Sequence, residues 1–204
     1  MTDYKVPDLI LNHAKVRAVL ILESPHSDEV SRGYPLAGSS GRAVSRFLAR
    51  DIPGLRREDE NKAFGCLIRC REVETVAVIN CSQFPLNKTV YDCDCYREHA
   101  ARIEGWDLIR RNPKSKRRTD KAHEELEAEI VRGLAERLQE FPETALLFPL
   151  GTLAYKLSHR VKNLGSRLYE GEIPHPSFNQ WFWPRNQARL NAFREVFRGV
   201  FRKD

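Results

Sequence analysis

Three short apolar runs limit what this chain can fold into. They are VRAVLILE (Val16–Glu23), TVAVINC (Thr75–Cys81) and TALLFPLG (Thr144–Gly151). A strand with one face in water alternates apolar and polar residues. A run that is apolar throughout belongs to a strand covered on both faces. A fourth run, SRLYEGEIPH (Ser166–His175), is weaker. Between the runs, apolar residues recur at helical spacing: Ala43, Val44, Phe47 and Leu48 after Gly41, then Leu126, Ile130, Leu134, Leu138 and Phe141 as one stripe. Leu153, Ala154 and Leu157 follow Gly151-Thr152, and Leu190, Phe193, Val196, Phe197, Val200 and Phe201 repeat near the C-terminus. Buried strands alternating with helices predict an α/β fold with a mostly parallel sheet and helices on both faces. Ligands of such sheets gather beyond the carboxyl ends of the strands. The residues after each run are therefore the ones that carry chemistry.

The chain has 204 residues, which suits a single domain over residues 1–204 with a sizeable core. It is 41% hydrophobic and 30% charged, ordinary for a globular protein. No apolar run approaches the roughly 20 residues that span a bilayer. The opening MTDYKVPDLI has no apolar secretory core, so a cytoplasmic protein without a membrane partner is expected. The net charge of +6 is unevenly spread. Ile109–Lys121 holds seven basic residues and one acid: Arg110, Arg111, Lys114, Lys116, Arg117, Arg118 and Lys121 against Asp120. Such a cluster fits a polyanionic partner, or a solvated loop. Residues 91–121 as a whole read as a basic loop or insertion.

The five cysteines, Cys66, Cys70, Cys81, Cys93 and Cys95, lack the C-x-x-C spacing of a zinc site. Buried or incidental thiols are expected, and no metal site.

After the first run, Glu23-Ser24-Pro25-His26 turns the chain, and GYPLAGSSGRA leads into a helix. Small residues at a helix start leave N–H groups free for an anion, but no Gly-Lys-Ser/Thr closes a P-loop. After the second run stands Asn80, whose amide both donates and accepts. After the third stands Gly151-Thr152. After the fourth stands Pro174-His175-Pro176-Ser177, followed by Phe178, Trp181, Phe182 and Trp183. Ser24, His26 and Asp28 are too close in sequence to infer a triad, and no G-x-S-x-G elbow is present.

In their order and spacing over Val16–Ser177, these segments resemble the uracil-DNA glycosylase superfamily. Members carry a Gly-Glu-Ala-Pro-Gly or Gly-Gln-Asp-Pro-Tyr type motif after the first core strand, matched by Leu22-Glu23-Ser24-Pro25-His26. The iron–sulfur-type members continue with G-x-P-F-x-G-x-x-G, matched by Gly33-Tyr34-Pro35-Leu36-Ala37-Gly38-Ser39-Ser40-Gly41. Asn80 matches the base-recognition Asn, Leu150-Gly151-Thr152 a strand-Leu-Gly-helix segment, and His175-Pro176-Ser177 the His-Pro-Ser motif. The resemblance implies a three-layer α/β/α sandwich around a four-stranded, mostly parallel sheet. It implies hydrolysis of an N-glycosidic bond in DNA after the base leaves the stack.

Carried over residue by residue, the resemblance makes Glu23 the group that activates water and His175 the donor to the leaving base. Ser24 stands where some families place a catalytic Asp. Asn80, Leu36, Pro25 and His26 would line the base pocket. Ser39, Ser40 and Ser177 would hold phosphates, Phe178, Asn179, Gln180 and Trp181 would fill the vacated stack, and the Arg110–Arg118 cluster would grip the backbone. The chain departs from the pattern in three places. The first motif lacks its leading Gly, Leu36 replaces the stacking Phe, and no Cys precedes Cys66. The iron–sulfur cluster is therefore not carried over, although Cys81, Cys93 and Cys95 keep it open. The expected substrate is a uracil- or hypoxanthine-type base, or a bulky modified cytosine of phage DNA. The alternatives are a catalytically silent DNA- or lesion-binding member, and an RNA-binding or nucleotide-hydrolysing α/β protein. A monomer is expected.

Overall fold

The computed structural model describes residues 1–112 and 121–202. The sheet comprises β1 (Ala18–Leu22), β2 (Val76–Asn80) and β3 (Leu146–Pro149) in the order β2-β1-β3, all parallel. Leu22 pairs with Asn80 and Ile21 with Pro149, so the three strands end level with one another. The helices are α1 (Ser27–Arg32), α2 (Ser39–Leu48), α3 (Phe64–Cys70), α4 (Cys93–Arg111), α5 (Lys121–Gln139), α6 (Thr152–Ser158) and α7 (Gln187–Gly199).

The continuous apolar runs have the predicted cause. Along β1, Val19 and Ile21 enter one core cluster with Ile103 and Trp106 of α4, Leu134 and Leu138 of α5, and Leu157 of α6. Ala18, Leu20 and Leu22 enter the other, with Val44 and Phe47 of α2, Phe64 of α3, and Phe193 and Phe197 of α7. Alternate side chains thus meet apolar partners on opposite faces. Each fully buried Leu, Ile or Phe contributes about 1.5–3 kcal/mol.

Two expectations differ from what is observed. The fourth apolar run is not a continuous strand: beside β3 it makes two isolated parallel bridges, Leu147 to Leu168 and Leu150 to Ile173. Polar Glu170, Gly171 and Glu172 separate the two contacts, and Pro174, with no N–H, cannot extend them. Residues 93–111, expected within a basic loop, are helical, with a kink at His99. Asp92 caps their start by accepting from the Cys95 N–H at 2.8 Å. Ile103, Trp106 and Ile109 recur three apart and face the core, but the many charges between them blur the pattern. Of the basic cluster, Lys114, Lys116, Arg117 and Arg118 lie outside the described residues.

Candidate functional site

A cleft of about 580 Å³ opens at the carboxyl ends of the strands. Glu23 to His26 line it after β1, Ser39 and Ser40 at the start of α2, and Gly151 and Thr152 at the start of α6. Arg110 enters from the end of α4, and Glu172, Pro174, His175, Ser177 and Phe178 close the remaining side. The volume lies within the range of small-molecule sites, about 300–1,000 Å³.

His175 is held in the cleft through one ring nitrogen. The Ser177 backbone N–H donates to its Nδ1 at 3.2 Å, and the Ser177 hydroxyl lies 2.8 Å from the same nitrogen. A backbone N–H can only donate. Nδ1 is therefore an acceptor, and the neutral ring carries its proton on Nε2. Burial, helped by neighbouring His26, pushes the His175 pKa down to about 4. The ring is thus neutral at physiological pH, with a fixed N–H donor and no protein partner on that nitrogen among the described residues.

Gly151 seats this ring. Its φ is +99°, and a Cβ built on it would lie 3.0 Å from both Cβ and Cδ2 of His175. Only glycine accepts both the backbone conformation and the contact. Gly151→Ala is expected to destabilise the protein by about 1–3 kcal/mol. It should also displace the imidazole, lowering any His175-dependent activity per folded molecule by tenfold or more. Thermal unfolding checks the first effect and turnover corrected for folded fraction the second.

Across the cleft, burial raises the Glu23 carboxyl to about 7, against the opposing pull of the Arg110 guanidinium. A carboxyl poised near neutrality in a cleft is the usual signature of acid–base work. Ser24 is engaged otherwise: its Oγ accepts the Leu86 N–H at 3.2 Å, tying the turn after β1 to the segment after β2. Glu29 holds the next loop, its two oxygens accepting the N–H groups of Leu36 and of His26, the latter at 3.0 Å. Burial raises Glu29 to about 7 as well.

Asn80, expected in the base pocket, ends β2 opposite Leu22, is 1% exposed and is not among the residues that line the cleft. Among the described residues, neither its Oδ1 nor its Nδ2 has a hydrogen-bond partner. An unpaired buried amide costs about 1–3 kcal/mol. The backbone around it is pinned by Arg137 of α5, whose guanidinium donates to the carbonyls of Asn80 at 2.8 Å and Cys81 at 2.7 Å, and to Asp8.

Several expected site residues stand elsewhere. Leu36 is 1% exposed and packs in the core. Its φ is +53°, and it is not among the residues that line the cleft. Trp181 is fully buried, packs edge-on against Phe47 and Phe193, and donates from Nε1 to the Pro174 carbonyl at 2.6 Å. It is a packing residue and cannot fill a gap in DNA without leaving the core.

Phe178, by contrast, is 84% exposed at the cleft lip. It and Asn179 hold φ of +53° and +55°, a strain of roughly 1–2 kcal/mol per residue. Gln180 lines the cleft, and Pro25 and His26 form its near wall. At the start of α2, Gly38 packs against the Asp28 carboxylate, whose Oδ2 a Cβ would meet at 2.2 Å. A negative charge therefore already sits beside Ser39 and Ser40, where an anion was expected. Arg110 and Arg111 both pair with the buried Asp107, Arg110 at 3.0 Å.

Sequence reasoning missed Glu172, Arg189 and Asn186 in the lining. Glu172 accepts from the Thr152 hydroxyl at 2.9 Å and faces Arg189 at 3.7 Å. Its place three residues before His175, beside a strand end, was the available signal. Cys66 and Cys70 bring their sulfurs to 3.6 Å on α3. Among the described residues, no three His, Cys, Asp or Glu side chains converge as a metal site would require. No helix among them is long and apolar enough to cross a membrane. Comparison with family models, curated proteins and solved structures returned no match.

Proposed function

We propose that this protein is a DNA glycosylase, a divergent relative of the uracil-DNA glycosylase superfamily, that hydrolyses the N-glycosidic bond of a modified or deaminated base. The observation that carries the reading is the unpartnered Nε2–H of His175, locked by Ser177, in the same cleft as a Glu23 carboxyl with a pKa near 7. Glycosidic cleavage builds negative charge on the departing base and positive charge on the sugar. A neutral imidazole donor stabilises the first without being titrated. A carboxylate at Glu23 orients water and stabilises the second. The unsatisfied amide of Asn80 is buried outside the cleft lining and would gain partners only where the bound base opens a path to that strand end.

The rest of the site accommodates this chemistry. On this reading the segment that bridges to β3 at Leu168 and Ile173 takes the part of the superfamily's fourth strand. Phe178, strained and exposed at the lip, is the side chain available to replace a base that has left the stack. The cleft has room for substituents beyond a single base, so a bulky modified cytosine is as compatible with it as uracil or hypoxanthine.

The test is incubation with DNA carrying uracil, hypoxanthine, hydroxymethylcytosine or glucosylated cytosine, followed by alkali to reveal abasic sites. Strand scission on one of these, and none on unmodified DNA, is the expected result. DNA binding without scission on any of them would instead assign a silent, lesion-binding role, in which Ser24, held by Leu86, serves as a loop tie.

A further inference from the structure

The segment after His175-Pro176-Ser177 shows more aromatic surface than one gap-filling side chain requires. Phe178 is 84% and Phe182 44% exposed, and Trp183 is partly exposed, all within six residues. Trp181, in their midst, is the anchor. It is buried between Phe47 and Phe193 and fixes the segment against α2 and α7.

The backbone carrying the exposed rings is held rather than loose. Asn186 Nδ2 donates to the Gln180 carbonyl at 2.7 Å, and Gln187 Nε2 donates to the Trp181 carbonyl at 2.8 Å and to that of Trp183 at 3.4 Å. The Asn186 N–H also donates to the Trp183 carbonyl at 3.0 Å. Two side chains thus stake down four residues of loop.

The segment Phe178–Gln187 carries one charged residue, Arg185. The Arg185 guanidinium lies over the Trp183 ring, 4.4 Å from its centre, and makes no ion pair among the described residues. Phe178, Gln180, Asn186 and Arg189 belong to the cleft lining, so the ridge is continuous with the candidate active site.

Fixed, solvent-facing aromatic rings interleaved with arginine stack successive unpaired bases while the cations meet phosphates. A double helix hides its base faces and offers such a ridge at most one gap. We propose that Phe182, Trp183 and Arg185 form a stacking platform for single-stranded DNA, and that the strand flanking the reacting base lies across it unpaired. The inference rests on the glycosylase reading for its link to the cleft, but its binding test stands apart from catalysis.

The chain has three tryptophans, and Trp106 and Trp181 are 3% and 0% exposed. Surface quenching therefore reports on Trp183. Titration with oligo-dT of about 15 nucleotides, which covers one such site, should quench the emission and shield it from iodide. Unmodified duplex of the same length should bind at least tenfold more weakly.

Phe182→Ala and Trp183→Ala, followed by anisotropy of a labelled oligo-dT, should each weaken binding by about tenfold. This corresponds to a stacking contribution in the range of 1–3 kcal/mol per base. Far-ultraviolet circular dichroism should be unaltered, since both rings face solvent. Duplex binding as tight as oligo-dT binding, or wild-type affinity in Trp183→Ala, would overturn the platform. Base release from duplex without any oligo-dT binding removes this inference and leaves the glycosylase. Oligo-dT binding without base release from any substrate does the reverse.

Discussion

His175→Ala lowers the single-turnover rate of base release by about 10²–10³-fold, the usual loss when one preorganised donor to a developing anion is removed. The expectation follows from three features of this one ring. It is neutral above about pH 4, so it donates without first being deprotonated. Its Nδ1 is committed to Ser177, so its proton sits on Nε2, which has no partner among the described residues. It rests on Gly151, so it has little freedom to swing.

The loss should fall on the rate and leave DNA affinity within a few-fold of wild type, because the donor matters most when charge has developed. His175→Gln, which keeps an N–H donor, should recover part of it. The measurement is a single-turnover time course at saturating enzyme on whichever modified substrate responds. A rate in His175→Ala equal to wild type would remove His175 from the mechanism.

Glu23→Gln has an effect of comparable size on rate, with an opposite and pH-dependent effect on stability. The Glu23 carboxyl titrates at about 7 in the folded protein against 4.5 ordinarily. The folded state therefore favours the protonated form. That stabilisation is complete below about pH 4.5 and is lost as pH rises through about 7. The carboxylate the reaction uses is the form the fold tolerates less.

Glutamine cannot ionise, so the variant should be more stable than wild type at pH 8 and close to it at pH 4.5. A full shift from 4.5 to about 7 corresponds to about 3 kcal/mol. Glu23 retains some contact with water, so a gain of about 1–2 kcal/mol is expected. Glu29, also at about 7, adds pH dependence of the same sign to both proteins and cancels in the comparison.

In activity, wild type should gain rate as pH rises through about 7 and then level, with no opposing limb from His175 above about pH 4. The variant should lose that rise and fall about 10²–10⁴-fold at pH 8. Denaturant melts and rate profiles at pH 4.5, 6, 7 and 8 measure both. A variant no more stable at pH 8 would show that Glu23 is solvated, and an unaltered rate would remove it from the chemistry.

The strands were legible because burial on both faces leaves a one-dimensional trace: a run with no polar interruption. β1, β2 and β3 lie inside the three runs, trimmed by one or two residues at each end. The stripe of Ile130, Leu134 and Leu138 in α5 is buried as its spacing predicts. α4 was hidden because only part of one face packs, and its remaining positions are charged.

The cleft was legible where a strand end dictates position, as for Glu23 and His175, whereas Asn80 ends its strand but is buried and outside the cleft lining. It was illegible where neighbours brought from elsewhere in the fold decide whether a side chain is covered. Leu36 and Phe178 share a φ of +53°, yet one is buried and the other exposed. Nothing in the letters separates Trp181 from Phe178, since both are large apolar residues in one loop. What separates them is the Pro174 carbonyl and the Phe47 ring that α2 brings to Trp181.

A sheet this narrow has two outer strands, and each could template the addition of a foreign one. The chain closes both margins with segments that pair only in part. Leu9 bridges antiparallel to Val78 on the β2 side, with N–H to carbonyl distances of 2.8 and 3.0 Å in the two directions. Leu168 and Ile173 do the same for β3, and Ile173 stands two residues before His175. One guard rail of the sheet is therefore also the arm that delivers the imidazole. A change that frays it would loosen the chemistry and bare a sticky edge at the same time.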